Sequence, residues 1–482
     1  MTLFLPQVNP YPSFTDPRNI AIGARNSSLK EKIGIARKAY DGHYNPPLKT
    51  RPGGPNDNVI INLCAGVVDK SVAYLFGKPV TFNLDDSSTR SDTEKVLDRV
   101  WDRNNKDATL QKLATNGGIC GQSFVKFRIE EDNIRLIVVD PYNVTVETAH
   151  DDFMFVNSYT IQWAAPLDPK TNKIRHYRQR INRKPAVYWE MEDGTPVDEK
   201  QAWSILDEYA DVTVGASPDE SDWIKMGFEM WDYEFPPILE TQNLPAPNSY
   251  WGKSDIEPDV ISLNESINRS ASNINKIIRN HAHPKTYTIG LEGDQAKRLL
   301  IDADNMLHIP GDPTQVKIDN LEMNSDLASS LNFYRTLREA MYEVSLTPEI
   351  ASGKAKEVSY LSAMAMQILY GPMIEKTNAK QMTYGPFLKE LNRRILVIMG
   401  IESPEPVNIV WPITFPRDVQ VEVATAMNKL QVGFSSDTLV SELGGDPEYE
   451  RNRRADDIGT LPGNQNQAPE RVAQMPEIGK AN

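Results

Sequence analysis

Apolar residues in NVIINLCAGVVDKSVAYLFG recur at positions 60, 63, 64, 67, 68, 72 and 75. That spacing predicts a helix with one apolar face, which Gly77 stops. KPVTFNL then reads as a strand, DTEKVLDRVWDRN and KDATLQKLATNGGICG as two amphipathic helices, and QSFVKFRI and IRLIVVDPYNVTVE as alternating strands. From 153 to 235 the pattern stays β-like, in FMFVNSYTIQW, IRHYRQRI, AVYWEME and WIKMGFEMWDYEF, and five of the eight tryptophans fall there. An antiparallel sheet unit is expected over this stretch.

Four prolines in FPPILETQNLPAPNSYWGKSD break the β pattern, and a long helix follows. Its apolar positions are Ile256, Val260, Leu263, Ile267, Ala271, Ile274 and Ile278. So narrow a stripe packs on one neighbour and leaves a Ser/Asn-rich remainder. Asp255, Glu257 and Asp259 at its start and Lys276 and Arg279 at its end suit the helix dipole. Pro258 sets the expected beginning of its regular part. Residues 285–323 read as a small mixed insert. A second long helix runs from about 325 to 345, with Leu327, Leu331, Tyr334, Leu337, Met341 and Val344 on one face. Two helices of similar length around a small insert are natural antiparallel partners. After a loop, a helix is expected over about 358–381, kinked near Gly371-Pro372. PFLKELNRRILVIMG adds a helical stretch, VNIVWPI a strand, and two or three helices close the sequence up to about 458, one starting at Asp446-Pro447. Residues 1–57, rich in Pro, Asn and Gly, read as an arm or extended lead-in; residues 459–482 read as a disordered tail.

Composition narrows the function classes. A chain of 482 residues has room for about three domains and a sizeable core. No apolar run is long enough for a membrane span. The opening MTLFLPQVNPYPSF lacks a basic segment and does not read as a signal peptide. Cys64 and Cys120 sit in apolar or glycine-rich stretches and read as reduced core residues. A net charge of −14 argues against a protein that coats DNA, but does not exclude one that must let DNA slide, since a negative wall repels phosphates and prevents sticking.

Catalytic candidates are few. NGGICG lacks the GK[ST] ending of a phosphate-binding loop and reads as a turn between helix and strand. His281 and His283 form an HxH pair with His308 further on, but no carboxylate or cysteine stands at ligand spacing, so a helix-end cap is the plainer reading. Ser345, Ser352 and Ser359 have no nearby histidine, and the carboxylates are scattered. No cofactor and no metal are expected. The remaining candidate is the basic loop holding Ser352, Gly353, Lys354, Lys356 and Glu357. It is either a solvated surface loop or a segment that touches phosphates by point charges, without reading bases.

The order of these segments resembles the portal proteins of tailed bacteriophages, the group typified by the large Bacillus phage portal. NVIINLCAGVVDKSVAYLFGKPVTF, NGGICGQSFVKF with IRLIVVDPYNV, YWGKSDIEPDVISLNESINRSASNINKIIRN, SGKAKEVSYLSAM and VGFSSDTLVSELGGDPEYERNR are each similar to family segments and stand in the family's order over roughly 55–455. The resemblance implies an α+β portal fold. Its parts would be an N-terminal arm (1–57), a β-rich wing (58–253), a first stem helix (254–282), a small α/β clip (283–324), a second stem helix (325–346), a tunnel loop (347–358), a kinked long helix returning to the wing (359–416), a helical crown (417–458) and the tail (459–482). It also implies a non-enzymatic homo-oligomeric ring, twelve-fold in the virion, at one capsid vertex. Double-stranded DNA would pass its central channel without sequence readout. Terminase, capsid or scaffolding protein and head-completion proteins would be its partners, and no membrane is involved. Ser352, Gly353, Lys354, Lys356 and Glu357 would face DNA, and Asn264, Arg269, Asn273, Lys276 and Arg279 would lie along the channel stem. The alternatives are a capsid connector or scaffold without DNA contact, or a DNA-packaging enzyme, which would need a P-loop or an acidic metal cluster.

Overall fold

A computed structural model describes residues 22–49, 56–84, 92–130, 133–149, 151–167, 169, 172–183, 203–282, 286–289, 306–309, 317–320, 327–348, 363–401, 404, 406–412, 419–442 and 451. The chain divides into two compact units, one formed by residues 1–83 and 96–414, the other by residues 84–95 and 415–482.

The first unit opens on a helix, α1 (Ile22–Tyr40), where an extended lead-in was expected. Its apolar residues are sparse, but Ile33, Ala36 and Ala39 recur at helical spacing and are buried. The Pro/Asn/Gly-rich composition that suggested an arm belongs to the residues on either side of it. α2 (Leu63–Phe76) follows the expected stripe, burying Cys64, Val67, Val68, Val72 and Leu75, and ends at Gly77. α3 (Asp92–Arg103) and α4 (Lys106–Cys120) come next. The turn read into NGGICG reduces to its last residue: Gly117 and Gly118 lie inside α4, and Gly121 alone takes the left-handed conformation, φ +82°, that ends the helix.

Eight strands, β2 to β9, follow in two sheets. β2 (Gln122–Glu130) is flanked by β3 (Asn133–Val139) and β9 (Ile238–Gln242), both antiparallel. β4 (Val144–Thr148), β5 (Val156–Ala164), β6 (Lys173–Arg183), β7 (Trp203–Thr213) and β8 (Ile224–Trp231) form the expected antiparallel sheet in chain order. Tyr159, Ile181, Trp203, Leu206 and Trp231 supply its buried side chains. AVYWEME lies outside the described residues. β1 (Thr81–Leu84) pairs with β13 (Val407–Val410).

α5 (Pro258–Ala282) begins at Pro258, where the missing N–H costs nothing. α6 (Leu327–Val344) packs against it. Between them, β10 (Thr286–Ile289) pairs in parallel with β11 (Met306–Ile309) and antiparallel with β12 (Lys317–Asn320), as the mixed insert predicts. α7 (Ala363–Ile398) runs without interruption through Pro372 and Pro386, joining two stretches that read separately in the sequence. Its inner face, with Tyr384, Phe387, Leu388, Leu391 and Ile395, is fully buried against the sheet and helix layer. Apolar packing on this face offsets the backbone hydrogen bonds the prolines remove.

In the second unit, α8 (Val419–Val432) and α9 (Ser436–Glu442) are joined by a turn at Gly433. Ser435 caps α9 by accepting from the Thr438 N–H. The expected helix start at Asp446-Pro447 lies outside the described residues.

Candidate functional site

The two long helices meet the rest of the first unit at two polar constructions. The first is a ladder on α5. The chain entering α2 is extended, and the polar stripe of α5 takes the place of a neighbouring strand. Asn264 Oδ1 accepts from Leu63 N at 2.9 Å and its Nδ2 donates to Ile61 O at 3.1 Å. Asn268 Oδ1 accepts from Ile61 N at 2.8 Å, and Ser272 Oγ accepts from Val59 N at 2.9 Å. Asn275 Nδ2 donates to Asp57 O at 3.1 Å, and Arg279 closes the row with a two-pronged pair to the Asp57 carboxylate at 2.7 and 2.6 Å. Hydrogen bonding by Arg279 holds the Asp57 carboxyl below the ordinary carboxylate range. Alternate residues of a strand advance about 6.6 Å and four residues of a helix about 6 Å, so the two rows stay in step over this length.

The second construction is a buried charged joint. Asp255 sits just before α5 with its side chain fully enclosed. Lys380 Nζ meets Oδ2 at 2.6 Å and Lys376 Nζ meets Oδ1 at 3.2 Å. Both lysines are one turn apart on α7. Lys376 also donates to Ser345 O at 3.0 Å, at the end of α6. Asn243 Nδ2 donates to Asp255 Oδ1, and the Asp255 N–H donates to Gly118 O at 2.8 Å. Burial alone would raise the Asp255 carboxyl, but the two ammonium groups outweigh it and hold it low. Burial lowers the Lys380 ammonium to about 8. The close approach explains Gly117 and Gly118: a Cβ on Gly118 would stand 2.8 Å from Asp255 Oδ2, and one on Gly117 would stand 2.3 Å from the Tyr384 hydroxyl.

Just past the joint, α6 ends in a Schellman turn. Thr347 N–H returns to Tyr342 O at 3.0 Å and Leu346 N–H to Glu343 O at 3.2 Å, with Leu346 at φ +54°. Thr347 is buried. These residues and α7 flank positions 349–362.

The sequence candidates separate accordingly. Ser352, Gly353, Lys354, Lys356 and Glu357 lie outside the described residues. Of the stem candidates, Arg269, Asn273 and Lys276 are exposed on α5. Asn264 is a correction: it is 0% exposed and serves the ladder within the chain. Arg279 pairs with Asp57 while its side chain stays 38% exposed. The Ser/Asn-rich remainder of α5 is partly an internal face. The side chains of His281, His283 and His308 lie outside the described set. Sequence reasoning missed Asp57, Asp255, Lys376 and Lys380. A polar stripe at 264, 268, 272, 275 and 279, parallel to the apolar one, was the available signal for the ladder.

A family model described as phage portal protein, SPP1 Gp6-like, matches residues 24–446. The chain belongs to the phage portal protein family. That family is one of structural connectors, and its model spans both long helices, the insert between them and the flanks of 349–362. No curated protein matches the chain in sequence. Solved structures of similar fold include "Virion of native gene transfer agent (GTA) particle", at 13% identity and TM-score 0.46, covering 86% of this chain and 94% of that one. "Neck of empty GTA particle computed with C6 symmetry" has 14% identity and TM-score 0.48, and "Neck of native GTA particle computed with C12 symmetry" 13% and 0.46, each with the same coverage of 86% and 94%.

Proposed function

We propose that this portal protein closes into a ring of about twelve copies at one vertex of a phage capsid, with double-stranded DNA passing through its centre during packaging and ejection. What carries the reading is family membership across both long helices and the segment between them. In this reading α5 and α6 are the stem, and the exposed Arg269, Asn273 and Lys276 lie along the channel or against a neighbouring copy. Residues 347–358 form the constriction, where Lys354 and Lys356 meet phosphates as point charges. The surrounding chain is acidic, so DNA is touched at few places and is free to slide. The insert of β10–β12 would dock the packaging terminase and later the head-completion proteins. The portal itself catalyses nothing here; the motor is a separate protein.

The test is the mass of the purified protein by light scattering or native mass spectrometry, with images of the particle. A closed ring of about a dozen 54.3 kDa subunits with a central hole is expected. A strict monomer over a range of salt and concentration, also with capsid protein present, overturns the reading.

A further inference from the structure

Two buried ammonium groups share one buried carboxylate in the joint, so one positive charge is in surplus. The relative exposures are 4% for Asp255, 5% for Lys376 and 1% for Lys380. The charged groups acting on Lys380 are Asp255 and Lys376. Among the described residues, the other groups hydrogen-bonded at the joint are neutral: the Asn243 amide, the Ser345 carbonyl and the Gly118 carbonyl, with the paired hydroxyls of Ser123 and Tyr384 beside them. A stable fold has no use for a surplus buried charge as such, because pairing one-to-one would serve packing better. The two lysines do different things, however. Lys376 reaches both Asp255 and the last turn of α6, whereas Lys380 reaches Asp255 alone.

We propose that Asp255, Lys376 and Lys380 form a proton-linked clamp that fixes the end of α6 against α7 and so sets where the two flanks of residues 349–362 stand. Lys376 is the tie between the helices, and Lys380 is the group whose proton tunes it. On the α6 side the clamp acts two residues before Thr347. On the α7 side it lies thirteen residues after Ala363, so α7 extends about 20 Å beyond it toward 362. A change at the clamp therefore acts through the helical stretch 363–375, which includes Pro372. With Lys380 protonated, the joint bears the surplus charge and opens more often. When Lys380 gives up its proton, its amine still donates to Asp255 and the joint becomes charge-balanced. The unfolded or opened lysine titrates near 10.5 and the buried one near 8, so the open form binds more protons between those values and the closed form gains as pH rises through the interval. The proposal concerns the chain's own helices and stands whether or not 349–362 touches DNA.

The test is amide hydrogen exchange of the full chain, with protection factors corrected for the intrinsic rate, between pH 7.5 and 9.5. Protection of the Ser345 and Thr347 amides is expected to rise on the order of tenfold over this range. In Lys380→Met the rise is expected to vanish, with protection at pH 7.5 already at the alkaline level. Lys376→Met is expected to lower protection at 345–347 at every pH while leaving 264–275 unchanged. A flat profile in the unaltered chain overturns the proposal without any variant. A rise that persists in Lys380→Met, or full protection at 345–347 in Lys376→Met, overturns it as well.

Discussion

Gly118 stands against Asp255 so closely that a Cβ added to it would lie 2.8 Å from Oδ2. The neighbour cannot retreat, because that carboxylate is held by two lysines and an asparagine. Gly118→Ala is therefore expected to destabilise the chain by about 1–3 kcal/mol, although alanine is the better helix former. The control is Gly66→Ala on α2, where nothing lies within 4 Å of an added Cβ. There the helix preference acts alone and about 0.5–1 kcal/mol of stabilisation is expected. Thermal or denaturant unfolding of the two variants separates the close approach from the general cost of helical glycine; equal signs for both would refute the packing argument.

Asn264 supplies both an acceptor for Leu63 N–H and a donor for Ile61 C=O. Asn264→Leu keeps the volume and removes both bonds, leaving the part-buried Leu63 N–H and Ile61 C=O only their 3.2 Å bond to each other, which is expected to cost about 1–2 kcal/mol. Exchange of the Ile61 and Leu63 amides should speed up with it. Arg269→Ala, exposed one turn further on, is expected to stay within about 0.5 kcal/mol of the unaltered protein. A mild effect for Asn264→Leu would show that the strand, once released, finds water instead.

The contrast between α5's two stripes shows what was legible in the sequence. Ile256, Val260, Ile267 and Ile274 announce a helix and its buried face, because apolar burial has a period that composition does not blur. Asn264, Asn268 and Ser272 repeat with the same period, but a polar stripe reads equally as a wall facing solvent or as a partner for backbone. Only the extended chain at 57–63, two hundred residues away in sequence, decides between them. The joint was hidden for a related reason. Lys376 and Lys380 at helical spacing look like an ordinary charged face, and Asp255 looks like a helix-start carboxylate. Their burial follows from Gly117 and Gly118 letting α4 approach, a long-range fact. α1 went unread because its apolar residues form no clean stripe: Ile33, Ala36 and Ala39 are buried while Ile35 is exposed. The family order of segments, by contrast, was readable from local motifs and holds over 24–446.

Leu346 adopts φ +54° at the end of α6, a conformation that costs a β-carbon-bearing residue about 1–2 kcal/mol. Its side chain is exposed, so little packing offsets the cost. Leu346→Gly is expected to remove the strain while adding about 0.5–1 kcal/mol of unfolded-state entropy, for a net gain of up to about 1 kcal/mol. The Schellman turn should persist, seen as unchanged protection of the Thr347 amide. A loss of stability would mean that Leu346 is covered in the assembled protein, and the assembly state of the variant would then change too.

Lys354 and Lys356 carry the last prediction, because they separate a DNA channel from a connector that never touches DNA. Both are flanked by Glu349 and Glu357, so the segment is close to neutral and its grip on any one phosphate is weak. Repeated around a ring, weak contacts add without locking the DNA in place, since each depends on counterion release and is readily exchanged. The double variant Lys354→Ala, Lys356→Ala is expected to form rings of unchanged mass and to package less DNA, or to lose packaged DNA faster, with a weaker dependence on salt. Replacing both by arginine keeps the charge and should keep the function, because point charge and not bidentate geometry is what the reading requires. Unchanged packaging and retention in the alanine variant would remove these lysines from DNA contact and favour the connector alternative. Failure to form rings would instead place the segment in the contacts between copies.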